Sequence, residues 1–107
     1  MTEGEFEAAA EQALRALEHA LDRVEIDIDV QAKGTGVVEI EFEDGSKIVV
    51  NRHAAAREIW VAARSGGFHF RFEDGAWRDT RDGGELFAAL SRLVSAHAGQ
   101  AVVLAPA

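Results

Sequence analysis

Cysteine is absent from this chain, which excludes disulfides, thiolate metal sites and cysteine nucleophiles and fits a reducing compartment. No apolar run approaches the roughly 18 residues that a membrane-spanning helix needs. The N-terminus is acidic and lacks the basic start of a secretory signal. A soluble, cytoplasmic protein is expected. Catalytic signatures are missing as well: there is no nucleophile elbow, phosphate-cradling glycine loop or HExxH motif, and Ser46, Ser65, Ser91 and Ser95 have no triad setting. The chain reads as a protein that is not an enzyme.

Bases are scarce in one place. Through residue 29 only Arg15 and Arg23 stand against nine carboxylates, Glu3, Glu5, Glu7, Glu11, Glu18, Asp22, Glu25, Asp27 and Asp29. The other 78 residues hold ten acids and nine bases, so seven of the eight net negative charges belong to the first segment. A field of that shape concentrates cations or basic protein surfaces and repels nucleic acid and anionic membrane.

With 107 residues and 48% hydrophobic content, the chain suits one compact domain spanning residues 1–107. From Phe6 to Val24 apolar or small residues recur at helical spacing (Phe6, Ala10, Ala13, Leu14, Leu17, Ala20, Leu21), which predicts an amphipathic helix with a charged outer face. Glu25 to Val30 then alternates strictly, placing Ile26, Ile28 and Val30 on one face of a strand and three carboxylates on the other. Helix and strand are expected to share one acidic edge.

Val38 to Phe42 and Ser46 to Asn51 flank Glu43-Asp44-Gly45 as a hairpin. A two-residue loop would set Ile48 opposite Glu41. A three-residue loop with Gly45 left-handed instead pairs Ile40 with Ile48, Val38 with Val50 and Glu41 with Lys47, which keeps both faces pure and is the register expected. Phe-Glu-Asp-Gly returns at Phe72 to Gly75, between an alternating stretch (Phe68, Phe70, Phe72) and Trp77, as reused turn chemistry. Glu58 to Arg64 suits a strand ending in a Ser65-Gly66-Gly67 turn, although its alanines also suit a helix. Leu86, Phe87, Leu90, Leu93, Val94 and His97 mark a second amphipathic helix that stops at Gly99, before an apolar tail, Val102-Val103-Leu104.

One helix, five or six meandering strands and one helix form a single core only if both helices cover the same sheet face. The fold class is therefore α/β, an α+β two-layer sandwich with an antiparallel sheet. Its other face is open, displaying Glu39, Glu41, Lys47, Asn51 and Trp60.

The chain resembles the frataxins, in their bacterial branch, CyaY. The resemblance covers essentially the whole length. It rests on the acidic helix running into Asp27-Ile28-Asp29, on Phe42-Glu43-Asp44-Gly45-Ser46-Lys47-Ile48-Val49-Val50-Asn51-Arg52, on Ile59-Trp60-Val61-Ala62 and on Gly66-Gly67-Phe68-His69-Phe70. It implies the frataxin sandwich, weak surface binding of iron (Fe²⁺ or Fe³⁺) on the acidic ridge, and a role in iron–sulfur cluster assembly through contact with the cysteine desulfurase and, alongside it, the scaffold protein. The chain departs from its bacterial relatives at His19 and Arg23, where they tend to be acidic. It also reads His53-Ala54-Ala55-Ala56 where they usually carry a glutamine and often a proline.

Glu3, Glu5 and Glu7 have a structural explanation, since acids favour a helix N-terminus. Glu18 and Asp22 do not, because they form a like-charged i,i+4 pair near the helix C-terminus, where pairing and dipole are both unfavourable. The expected metal-contacting set is Glu18, His19, Asp22, Glu25, Asp27 and Asp29, with His19 the only histidine placed to add a nitrogen ligand. Carboxylates two apart on a strand are roughly 6.6 Å apart, whereas ligand oxygens approach a divalent ion to about 2.0 to 2.5 Å. Binding is therefore expected to be hydrated, weak and poorly selective. Arg52 and Trp60 are expected to bind a partner from the open sheet face, being residue types that dominate interfaces. Three functions stay open: an iron-binding donor, sensor or regulator of cluster assembly, a metal-independent module whose acidic edge docks on a basic partner, and a weak ferroxidase.

Overall fold

The computed structural model describes residues 1–106. Helix α1 (Glu3–Asp22) opens on a capping box, in which the Thr2 hydroxyl accepts from the Glu5 amide at 3.1 Å while the Glu5 carboxylate accepts from the Thr2 amide at 2.7 Å. These bonds satisfy two donors at the helix start and hold the Glu5 carboxyl below its usual range. The structure thus assigns Glu5 to capping.

Six strands follow, β1 (Ile28–Ala32), β2 (Val37–Phe42), β3 (Lys47–His53), β4 (Glu58–Ala63), β5 (Gly66–Glu73) and β6 (Ala76–Asp79), and helix α2 (Leu86–Ala98) closes the order. The strands form one antiparallel meander in sequence order. Even-numbered residues of β2 and β3 (Val38, Ile40, Phe42, Ile48, Val50) join Ile59, Val61, Phe70 and Trp77 in one buried cluster with Phe6, Leu14 and Leu17 of α1 and Leu86, Leu90 and Val94 of α2. Both helices therefore cover the same face, as the sequence predicts. Beyond the left-handed Gly99 cap, the tail lies along α2: the Ser95 and Ser91 hydroxyls accept from the amides of Val102 (2.9 Å) and Leu104 (2.8 Å), whose side chains are buried.

The first hairpin has the expected register, Ile40 opposite Ile48 and Val38 opposite Val50, with Gly45 at φ +85°. The second Phe-Glu-Asp-Gly makes a shorter turn. Asp74 and Gly75 take φ +52° and +79°, and Phe72 pairs directly with Trp77, their rings packing edge to face at 5.2 Å. Contact between these two aromatics favours the two-residue loop, whereas at the first turn Asp44 accepts from both the amide and the hydroxyl of Ser46 and supports three.

Two boundaries differ from expectation. The β4–β5 turn is Arg64-Ser65, because Ala63 pairs with Gly66 and both glycines enter β5. The first strand begins at Ile28 instead of Glu25. Ile28 pairs with Phe42, the last residue before the β2–β3 turn, so Glu25 to Asp27 have no neighbouring strand to bond. The alternation of exposure nevertheless runs unbroken from Val24 to Gln31.

Candidate functional site

The helix end and the first strand form two acidic rims rather than one edge. Helix α1 contributes Glu18, His19 and Asp22 to a groove of about 470 Å³ whose other wall is Val24, Ile26, Ile28 and Val30. Glu25, Asp27 and Asp29 have the opposite parity along the chain and are exposed. An apolar row thus separates the two groups, which corrects the expectation of one shared edge. Among the described residues no three His, Cys, Asp or Glu side chains converge into a metal-holding group. Carboxylates arranged this way act on a cation through their common field and through one or two contacts, with water completing the shell.

The strand rim includes residues that the sequence reading left out of the set. Asp29 lies directly across the ladder from Glu41, and Glu41 from Lys47. Lys47 turns along its strand to Glu39, at 3.4 Å, where Lys33 also reaches at 3.3 Å. Partial desolvation opposes ionisation of Glu39, but the bonds from Lys33 and Lys47 outweigh it and hold that carboxyl below its usual range. Among the described residues Asp29 has no basic partner and accepts a hydrogen bond from the neutral Gln31 side-chain amide at 3.1 Å. Asp27 instead lines a cleft with Glu43 and Asp44 of the first hairpin turn. A cross-strand alignment of like charges was the signal for Glu41, and it needs the β1–β2 register to be seen.

Arg23, beside Asp22 in sequence, directs its guanidinium to the Ala105 carbonyl at 3.2 Å and ties the C-terminal tail to the end of α1. His97 is 7% exposed at the other side of the Asp27 cleft, and both its nitrogens are engaged. The Arg64 amide donates to Nε2 at 3.3 Å, which makes the neutral ring a donor at Nδ1. Nδ1 therefore donates to the Ser46 hydroxyl at 2.8 Å, and Ser46 donates to Asp44 at 2.6 Å. Ser46 receives the proton of His97 instead of offering its own, and the chain of bonds clamps α2 to the first hairpin. Desolvation, with the nearby Arg64 charge, pushes the His97 pKa down. The two bonds from Ser46 and the Arg64 contact hold Asp44 down to about 2.

Of the two expected partner residues, only Trp60 lies on the open face. It pairs with Asn51 and His69 between the buried Ile59 and Val61, and is half-buried. Arg52 belongs to the other face, continuing the parity of Ile48 and Val50 and pairing with Ile59. Its side chain passes over Gly36, where an added Cβ would lie 2.7 Å from Nε, and lines a groove with Glu11, Arg15 and Glu18 of α1. The expectation for Arg52 is corrected accordingly: strand parity joins it to the helical rim.

Known proteins match this chain over most of its length. A frataxin-like domain is recognised over residues 1–100. The iron-sulfur cluster assembly protein CyaY of Dechloromonas aromatica (strain RCB) is 56% identical over 104 residues, 97% of this chain and 99% of that protein. Frataxin from Psychromonas ingrahamii superposes with a TM-score of 0.88 at 27% identity, covering 96% of this chain and 97% of that one. Trimeric frataxin from the yeast Saccharomyces cerevisiae, complexed with ferrous iron, gives 0.65 at 26% identity, with 84% and 88% covered. Two terminal helices over a six-stranded meander thus define a frataxin-like sandwich. The chain belongs to the frataxin family, in its bacterial CyaY branch.

Proposed function

We propose that this protein is an iron-binding component of iron–sulfur cluster assembly, acting in the cytoplasm, without catalysis of its own, as an iron donor or sensor that regulates the cysteine desulfurase machinery. The observation that carries the reading is the strand rim beside α1, in which Asp29 and Glu41 face each other and no basic side chain forms an ion pair with either among the described residues. Like charges held together on a fixed ladder are relieved by a cation. The names of its relatives, an iron-sulfur cluster assembly protein and a frataxin complexed with ferrous iron, support the same direction. Glu18, His19, Asp22, Glu25, Asp27 and Asp29 supply the field, and a hydrated Fe²⁺ or Fe³⁺ fits it better than a fully stripped ion.

The same rims suit a basic surface of a desulfurase, with Trp60 extending the contact from the open face and Arg52 from the helical rim. Isothermal titration with Fe²⁺ under anaerobic conditions, followed by exposure to oxygen, tests the proposal. It predicts weak exothermic or endothermic binding that saturates, and no catalysed oxidation beyond the buffer rate. Absence of any saturable binding would leave a metal-independent docking module, the reading that dispersal of the carboxylates favours.

A further inference from the structure

A groove of about 270 Å³ lies between α1 and the β1–β2 turn, residues 33–36, with Arg52 of β3 lining it as well. Pockets for drug-sized ligands run from about 300 to 1,000 Å³, so an occupant of this groove must be small.

Two opposite charges face the groove, and neither has a partner. Arg52 is half-buried, and its stem lies so close over Gly36 that a Cβ there would come within 2.7 Å of Nε and 2.8 Å of Cγ. The Arg52 amide donates to the Gly36 carbonyl at 2.9 Å, which fastens strand and turn at the same point. The guanidinium is thus held in place, yet it forms no ion pair among the described residues. Glu18, half-buried on α1, forms none either, because Arg15, three residues before it, bonds Glu11 at 2.6 Å instead. Arg52 and Glu18 do not reach each other.

The turn adds donors. Gly34 and Gly36 take φ +65° and +84°, in the left-handed region, and the amides of Gly34, Thr35 and Gly36 donate to no backbone group among the described residues. Leu14, Val37 and Val38 supply apolar surface.

The charges select the ligand. Arg15 and Arg52 balance Glu11 and Glu18, so the groove is neutral as a whole but carries opposite charges at separate points. A simple anion would meet Arg52 together with two carboxylates, and a simple cation would meet Glu18 together with two guanidinium groups. A molecule with both charges finds a partner for each. The planar fork of a guanidinium matches a carboxylate.

We propose that this groove binds a zwitterionic α-amino acid with an aliphatic side chain. Its carboxylate sits on the Arg52 guanidinium and the amides of the 34–36 turn, its ammonium on Glu18, and its side chain against Leu14 and Val38. This role goes beyond the partner contact of Arg52 and needs no metal. Glu18 lines this groove and the one along β1, so the amino acid and the metal field share one residue.

The test titrates L-leucine into the metal-free, ¹⁵N-labelled full chain at neutral pH. Saturable shifts are expected at the Gly34, Thr35 and Gly36 amides and at Arg52 Nε–H. Two analogues each lack one charge: isocaproate has no ammonium, and isoamylamine has no carboxylate. Each is expected to bind roughly tenfold more weakly than leucine, the low end of what a hydrogen bond to a charged group contributes. Arg52→Gln should weaken leucine by about the same factor without weakening isoamylamine, and Glu18→Gln should weaken leucine without weakening isocaproate. Amide spectra report that both variants are folded. No saturable shift of the turn amides with leucine, an analogue that binds as tightly as leucine, or leucine affinity unchanged in either variant would overturn the proposal.

Discussion

Asp29 faces Glu41 across the β1–β2 ladder, and the lysine that completes their row, Lys47, turns away to Glu39. A like-charged cross-strand pair costs about 0.2–1 kcal/mol. Replacing Glu41 with Gln is therefore expected to stabilise the fold by that amount in urea unfolding while weakening divalent-cation binding at the same time. Stability and metal affinity that fall together would mean that Glu41 has a structural partner instead.

Arg23 gives a test of the helical rim. Exchange for Asp changes the charge by two units at a distance of about 7 Å from a cation at Asp22, worth ~2 kcal/mol in water and about half that after screening. Metal affinity should rise roughly fivefold at low salt and less at high salt. The lost bond to Ala105 should also lower stability by about 0.5–1.5 kcal/mol. Equal affinities at low salt would place the ion away from this end of α1.

His97 predicts a pH dependence of stability. Its pKa in the fold lies below the ordinary value of 6.5, so folding favours the neutral ring. The contribution is complete above about 6.5 and is lost as pH falls from there through the folded value, because the unfolded chain takes up the proton first. Urea midpoints measured from about pH 8 to about pH 5 should decline more steeply in the native chain than in His97→Gln. Parallel curves would contradict the clamp from Arg64 through His97 to Ser46.

Glu58 is buried and holds Trp60, His69 and Arg71 together. Its exchange for Gln should cost about 1.5–3 kcal/mol, the range for a hydrogen bond to a charged group, and should shift the Trp60 indole resonance. A neutral substitution would show that the stack of His53, Trp60 and His69 stands without it.

Much of this arrangement was legible in the chain. Helical periodicity marked α1 and α2, and face purity alone selected the three-residue loop that pairs Ile40 with Ile48. Trp60 followed from the alternation with Ile59 and Val61. The same alternation was available for Arg52, whose parity with Val50 overrules the habit of assigning charge to the open face. What local pattern cannot carry is where a neighbouring strand ends: β2 stops at Phe42, and that leaves Glu25 and Asp27 outside the ladder. Nor does any local signal join Ser46 to His97, 51 residues apart, or align two histidines from different strands on one tryptophan.

The claim that the acidic rims bind the metal is tested most directly by paramagnetic broadening of amide signals, with Mn²⁺ or anaerobic Fe²⁺ added to the ¹⁵N-labelled protein. Signals from Glu18 to Asp29 and from Glu41 should broaden first, ahead of those around His69 on the open face. Broadening that begins around His69 or His97 at lower metal concentration, with the α1–β1 edge unaffected, would contradict it.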